Sequence, residues 1–239
     1  MKLKKIFLVI CLLSFIVLLN ATTIVTVKVK CSVCGRTSKH TAMMSSNRRG
    51  WPDLDLRPPE MLRSTMECWV QKCPNCGYAN TSIKKLIKNA KKIVYSPKYK
   101  TLSQSKKYPS LANKFLCSAL INYKTGNYKA AASLYLRAAW SCDDNKQVQN
   151  AITCRKMAIK LFFLAKKNGM VISKQKGVFE ILIIDLFRRT KQFALARKYI
   201  KQGLDIKGIA RIPKKCLKYQ LKLVNKKDIR AHTIKEALN

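Results

Sequence analysis

The sequence predicts two unlike folds in series: a small zinc-ribbon (α+β) module, followed by an all-α TPR-like helical repeat domain. Three observations predict it. Cys31-Ser32-Val33-Cys34-Gly35 and Cys73-Pro74-Asn75-Cys76-Gly77 are paired C-x-x-C-G knuckles. After Asn80 the composition changes from loops rich in Cys, Pro and Gly to Lys, Ala, Leu, Ile and Tyr at helical spacing. Beyond the Gly126 turn, Tyr128, Ala131, Tyr135 and Ala138 take the spacing of a TPR helix pair. The chain therefore divides into a signal peptide or membrane anchor (1–21), a zinc-ribbon domain (22–80), a basic helical connector (81–108) and a TPR-like helical domain (109–239).

Lys2, Lys4 and Lys5 precede a mostly apolar, uncharged run that begins at Ile6, the anatomy of a signal peptide. Leu19 and Ala21 would occupy the small-residue positions of a cleavage site after Ala21, and Leu suits that role poorly. An uncleaved anchor is the alternative, because no charge occurs from Ile6 to Val27 and about 20 apolar residues suffice to span a bilayer. Cys11 follows the bulky Ile10 inside that run and reads as an apolar filler rather than a lipidated cysteine.

Residues 22–30 alternate, with Val25, Val27 and Val29 on one side and Thr26, Lys28 and Lys30 on the other, so a strand leads into the first knuckle. The 38 residues between the knuckles must form structure of their own. Pro59 can open a short helix running to about Cys68, and residues 69–72 then form a strand into the second knuckle. Asp53, Asp55, Arg57, Glu60 and Arg63 are either a recognition surface or, the preferred reading, salt bridges and caps of a loop packed on the metal. Cys68 lies five residues before Cys73, a poor knuckle spacing, and reads as a buried thiol.

Each knuckle turns its backbone so that two thiolates face one ion, and Cys31, Cys34, Cys73 and Cys76 together make a tetrahedral sulfur set. Gly35 and Gly77 suit positions of positive φ. Sulfur-only ligation favours structural Zn(2+), with paired disulfides, iron or redox use as the alternatives. Four thiolates leave no open position for a catalytic water. A module this small buries too little apolar surface to stand without such a staple.

In the helical half, one helix starts near Leu111 and ends at the Thr125-Gly126-Asn127 turn. Phe193, Ala196, Ile200 and Gly203 form a second copy of the repeat pattern, and a helix over about 150–168 stands between the copies. Pro213 begins a terminal capping segment. Such hairpins cannot bury their apolar faces alone, so they stack and leave a face for an extended peptide or helix. Cys117, Cys142, Cys154 and Cys216 read as core thiols.

Lys and Arg number 49 against 11 Asp and Glu, a formal charge of +38. The excess is +5 over 21–80 and +30 over 81–239, so the helical half carries the field. Nine lysines and no acid lie between residues 84 and 107. With only His40 and His232, catalytic triads and histidine-rich metal centres are nearly excluded, and no small-molecule substrate is evident. The function expected is a non-enzymatic, zinc-containing adaptor or scaffold whose partner is an acidic protein or peptide. The alternative is a zinc-ribbon nucleic-acid-binding protein, and membrane attachment through the N-terminal segment is a further possibility.

The knuckles, the segment 57–79 with Arg57, Pro58, Pro59, Glu60, Cys68 and Trp69, and the repeat-like 125–140 together resemble the bacterial domain-of-unknown-function family 2225. The resemblance covers roughly 22–204 and implies zinc at Cys31, Cys34, Cys73 and Cys76 with a TPR-like C-terminal half; it implies no activity. Proteins of that family look as if they begin near Ala21 and stay in the cytoplasm. Residues 1–21 thus predict membrane anchoring or export, or a cytoplasmic protein if the first 20 residues are a start-site artefact.

Overall fold

In a computed structural model, residues 22–239 are described. Strand β1 (Thr23–Lys30) pairs antiparallel with β2 (Thr37–Ser45), and the first knuckle is the turn between them. Strands β3 (Gln71–Lys72) and β4 (Ala79–Asn80) pair likewise around the second knuckle. The alternation expected for β1 is present: Val25, Val27 and Val29 are half-buried, while Thr26, Lys28 and Lys30 are exposed.

The helix expected to run from Pro59 to Cys68 is instead α1 (Glu60–Arg63) followed by a 3-10 turn, Met66–Trp69. Thr65 divides them. Its buried hydroxyl donates to the Leu62 carbonyl at 2.7 Å and accepts the Trp69 indole N–H at 3.0 Å, which favours a tight turn over a continued helix. Trp69 therefore belongs to that turn, and the strand starts two residues later than expected.

The lysine-rich stretch after the second knuckle forms α2 (Ala90–Val94) and α3 (Pro97–Gln104), the latter capped by Ser96 with Pro97 at its first position. These short helices are amphipathic. Their lysines face outward while Ala90, Val94 and Tyr99 join Ile83, Tyr78 and Ile121 in a small core around the knuckles.

The main core lies among α4 (Ser110–Lys124), α5 (Tyr128–Asp144), α6 (Val148–Lys167), α7 (Val178–Arg189), α8 (Phe193–Leu204) and α9 (Arg211–Asn225). With α10 (Ile234–Leu238), ten α-helices and two small antiparallel sheets make the described residues mostly helical. Alanines 112, 119, 131, 132, 138 and 139 are buried along α4 and α5, which lets those helices approach closely.

One turn geometry recurs at helix ends. The amide of Asn127 bonds the Asn122 carbonyl, Gln147 bonds Cys142, and Gln192 bonds Phe187, each preceded by a left-handed residue: Gly126, Lys146 and Lys191. Each turn reverses the chain within three residues, so successive helices pack side by side. Pro213 sits in the first turn of α9 rather than before it, since the helix begins at Arg211.

Beyond α9 the chain returns to the segment between the two knuckles. Leu54 N donates to His232 O at 2.8 Å and Ile234 N to Pro52 O at 2.9 Å, bridging Asp53 antiparallel to Thr233. Among the described residues no helix is long and apolar enough to cross a membrane. The signal peptide or anchor expected at 1–21 lies outside the described residues.

Candidate metal centre

The two knuckles fold identically. Cys31 N bonds Arg36 O at 2.9 Å and Gly35 N bonds Cys31 O at 2.8 Å; Cys73 N bonds Tyr78 O at 2.8 Å and Gly77 N bonds Cys73 O at 2.9 Å. Gly35 has φ +74° and Gly77 φ +78°, conformations that a side chain penalises. Gly77 is constrained twice, because a Cβ there would stand 2.6 Å from Ser103 Oγ on α3.

This pairing brings Cys31, Cys34, Cys73 and Cys76 together with every Sγ within 4.8 Å of the others. Cys31 Sγ is 3.7 Å from Cys76 Sγ, and Cys34 Sγ is 3.6 Å from Cys73 Sγ. Four sulfurs about 2.3 Å from a tetrahedral ion stand about 3.8 Å apart along each edge, so the spacing suits a sulfur-bound ion. A disulfide needs about 2.05 Å, and the nine cysteines among the described residues are all free. The four can hold a metal ion.

Burial pushes the Cys31 and Cys76 thiols up, even though Cys31 receives the amides of Cys34 and Val33 and Cys76 that of Tyr78. Burial also opposes ionisation of Cys34, but the Arg36 amide, the Asn75 side chain and the neighbouring sulfurs outweigh it and bring its pKa down to about 6. Thiolates this crowded repel one another, and a bound cation is what would let all four ionise.

The metal module is fastened to the helices by buried polar contacts. Tyr99 donates its hydroxyl to Gly77 O at 2.7 Å, and Tyr78 donates to Lys85 O at 2.6 Å. Lys72 reaches Ser103 O at 2.7 Å and Asn113 Oδ1 at 2.8 Å. Cys68 is half-buried rather than buried and is not one of the clustered four. Cys117, Cys142, Cys154 and Cys216 are all buried, as expected of core thiols.

The insertion between the knuckles contributes a second set of charged residues, and they point inward. Asp55 is fully buried; it accepts Trp140 Nε1 at 2.8 Å and Arg189 at 3.0 Å. Arg57 Nη2 donates to both carboxylate oxygens of Asp144, at 2.6 and 2.8 Å, and Arg63 meets Asp53 at 3.0 Å. Asp143 joins Arg189, at 2.9 Å, to Arg155. Burial raises the Asp143 carboxyl, but Arg155, then Arg189 and Arg57, overcome it and leave its pKa below the ordinary value. Of the charged residues singled out in the sequence, Asp55 and Arg57 thus clasp the insertion to the helices, Asp53 and Arg63 pair within the insertion, and Glu60 stays at the surface. Trp140, Asp144 and Arg189 were not legible as their partners, since Asp55 and Arg189 are 134 positions apart.

The fold and its sulfur site define a class: a mostly helical protein with small antiparallel sheets and a cluster of four cysteines able to hold a metal ion. The family described as uncharacterized proteins conserved in bacteria, DUF2225, matches residues 24–227, and the chain belongs to it. That description names no enzyme activity. Comparison with curated proteins and with solved structures returned no match.

Proposed function

We propose that this protein is a non-enzymatic adaptor in which zinc at Cys31, Cys34, Cys73 and Cys76 holds the module to a TPR-like array, and the array receives an acidic protein or peptide. One observation carries the reading: the chain spends its own acids internally. Of 11 Asp and Glu, seven lie within 4 Å of an arginine, Glu67 pairs with Lys114, and Glu236 lies against His232. Among the described residues Lys114 is the one lysine with a carboxylate partner. Most of the other described lysines face solvent without counter-charge, a field that attracts polyanions.

Sulfur-only ligation at tetrahedral spacing supports zinc in a structural role, and the recurrent helix-end geometry supports a repeat array. The second reading, nucleic-acid binding, is favoured by Lys28, which stands directly opposite Lys39 across two exposed strand positions. Like charges so placed destabilise a sheet, and an external phosphate would relieve them.

A salt titration of the metal-loaded chain separates the two. Binding to oligo-glutamate and to single- and double-stranded oligonucleotides is measured at increasing ionic strength. Retention of oligo-glutamate near physiological salt, with oligonucleotide binding lost, is the expected result. Sub-micromolar oligonucleotide binding with a steep salt slope would put the nucleic-acid reading first.

A further inference from the structure

Six arginines are withdrawn from full exposure, and five of them, Arg57, Arg63, Arg155, Arg188 and Arg189, each meet a carboxylate within hydrogen-bond distance. Arg137 is the sixth. Its guanidinium carbon lies 5.3 Å from the centre of the Trp69 ring, and it has neither a carboxylate nor a hydrogen-bond partner among the described residues. A ring face attracts a cation without neutralising it. Burial lowers the Arg137 pKa, and no neighbouring charge contributes to that shift.

Arg137 opens into a cleft of about 340 Å³ between α4 and α5, closed at one side by Asn80 of β4. Lys129, Ser133 and Arg137 are spaced by four on α5 and so share a face, as do Ser118 and Asn122 on α4. No Asp or Glu lines it. Lys129 Nζ donates to Val171 O at 2.5 Å and keeps two further donors. Ser118 Oγ is buried with no partner.

We propose that this cleft is a carboxylate-binding site in which Arg137 grips an acidic side chain of the peptide partner through its two-pronged fork. Lys129 adds the second positive charge, and the Asn122 and Ser133 side chains orient the group. The inference rests on the acidic-partner reading and gives that partner an address. A nucleic-acid backbone needs a track of regularly spaced cations, whereas this cleft presents a single fork beside one lysine. Trp69 and Asn80 belong to the metal module, so the site is complete only while module and helices are joined.

The test is fluorescence anisotropy of a labelled oligo-glutamate peptide with the metal-loaded full chain and three variants. Arg137→Gln is expected to weaken binding at least about tenfold and Arg137→Lys severalfold, since lysine keeps the charge and loses the fork. Arg211→Gln, which removes the same charge from an exposed position on α9, is expected to change it less than about twofold. A second measurement on the wild-type chain does not depend on a variant folding: oligo-glutamate should protect Arg137, and not Arg211, from phenylglyoxal, as mapped by peptide mass. Equal losses in Arg137→Gln and Arg211→Gln, or no protection of Arg137, would overturn the cleft and leave the adaptor reading standing. Absence of oligo-glutamate binding by the wild-type chain would overturn both. Protection by an oligonucleotide but not by oligo-glutamate would overturn the carboxylate assignment.

Discussion

Replacing Asp55 with alanine removes the acceptor through which the metal module holds the helices, and the structure sets the size of the loss. Three donors are orphaned: Arg189 at 3.0 Å, Trp140 Nε1 at 2.8 Å and the Arg57 amide at 3.1 Å. Breaking a buried ion pair by removing one member costs about 3–5 kcal/mol. An unsatisfied indole N–H adds about 1–3 kcal/mol. Arg189 keeps Asp143 at 2.9 Å, which places the total near the lower end, at about 4 kcal/mol. Asp55→Asn retains an oxygen for Trp140 and gives up only the charge, so its loss is about half as large. Urea unfolding of the metal-loaded protein, followed by tryptophan fluorescence, reads this out. With a slope of about 2 kcal/mol/M, Asp55→Ala lowers the midpoint by about 2 M. A shift below about 0.3 M at unchanged slope would show that the network is screened by solvent and that the clasp is not built from these charges.

Three further outcomes are expected. Cys76→Ser removes one corner of the sulfur set, so tightly bound zinc, released by a thiol reagent and measured with a chromogenic chelator, falls well below one ion per chain; cobalt substitution of the wild-type protein gives the absorption of a tetrahedral thiolate site. Gly35→Ala costs about 1–2 kcal/mol for its left-handed backbone, whereas Gly77→Ala costs more because its methyl also meets Ser103; a chelator competition should rank zinc retention as wild type, then Gly35→Ala, then Gly77→Ala. Glu236 loses solvation through burial, but His232 and the Thr233 amide more than compensate, so its pKa falls from 4.5 to about 2. A depressed carboxylate contributes stability above its unfolded pKa and surrenders it as pH falls through the folded one. The Glu236 contribution is therefore complete above about pH 4.5 and lost toward about pH 2. Thermal unfolding across that window should lose part of its pH slope in Glu236→Gln.

The clustering of the four cysteines was legible because a C-x-x-C-G knuckle is a local object: five consecutive residues contain the turn, the glycine and both thiols. Helix ends were nearly as legible. The helix expected from about Leu111 to the Gly126 turn runs Ser110–Lys124, and the one expected over about 150–168 runs Val148–Lys167. Thr65 was not foreseen as a break, since its effect depends on Trp69 reaching back to its hydroxyl. The charged insertion was ambiguous for a different reason. Asp55 and Arg57 look alike whether they face a partner or the protein's own interior, and their true neighbours, Arg189 and Asp144, come much later in the chain. The deficit of acids was visible as a number; that the few present are mostly paired with arginine required the fold. Arg137 is the converse case. One arginine among twelve carries no mark in the sequence, and it stands out only when the other arginines withdrawn from full exposure are seen to be matched.

The bridge between Asp53 and Thr233 joins an early part of the chain to nearly its last. The two knuckles emerge from the ribosome early and can take up an ion while the helices are still being made. The loop between them has no edge to rest against until residues 232–234 arrive, and Asp55 has no Arg189. The four cysteines can thus gather while the loop between them is still unseated, and deleting the chain beyond residue 231 would remove the edge beside Asp53 while leaving Arg189 for Asp55.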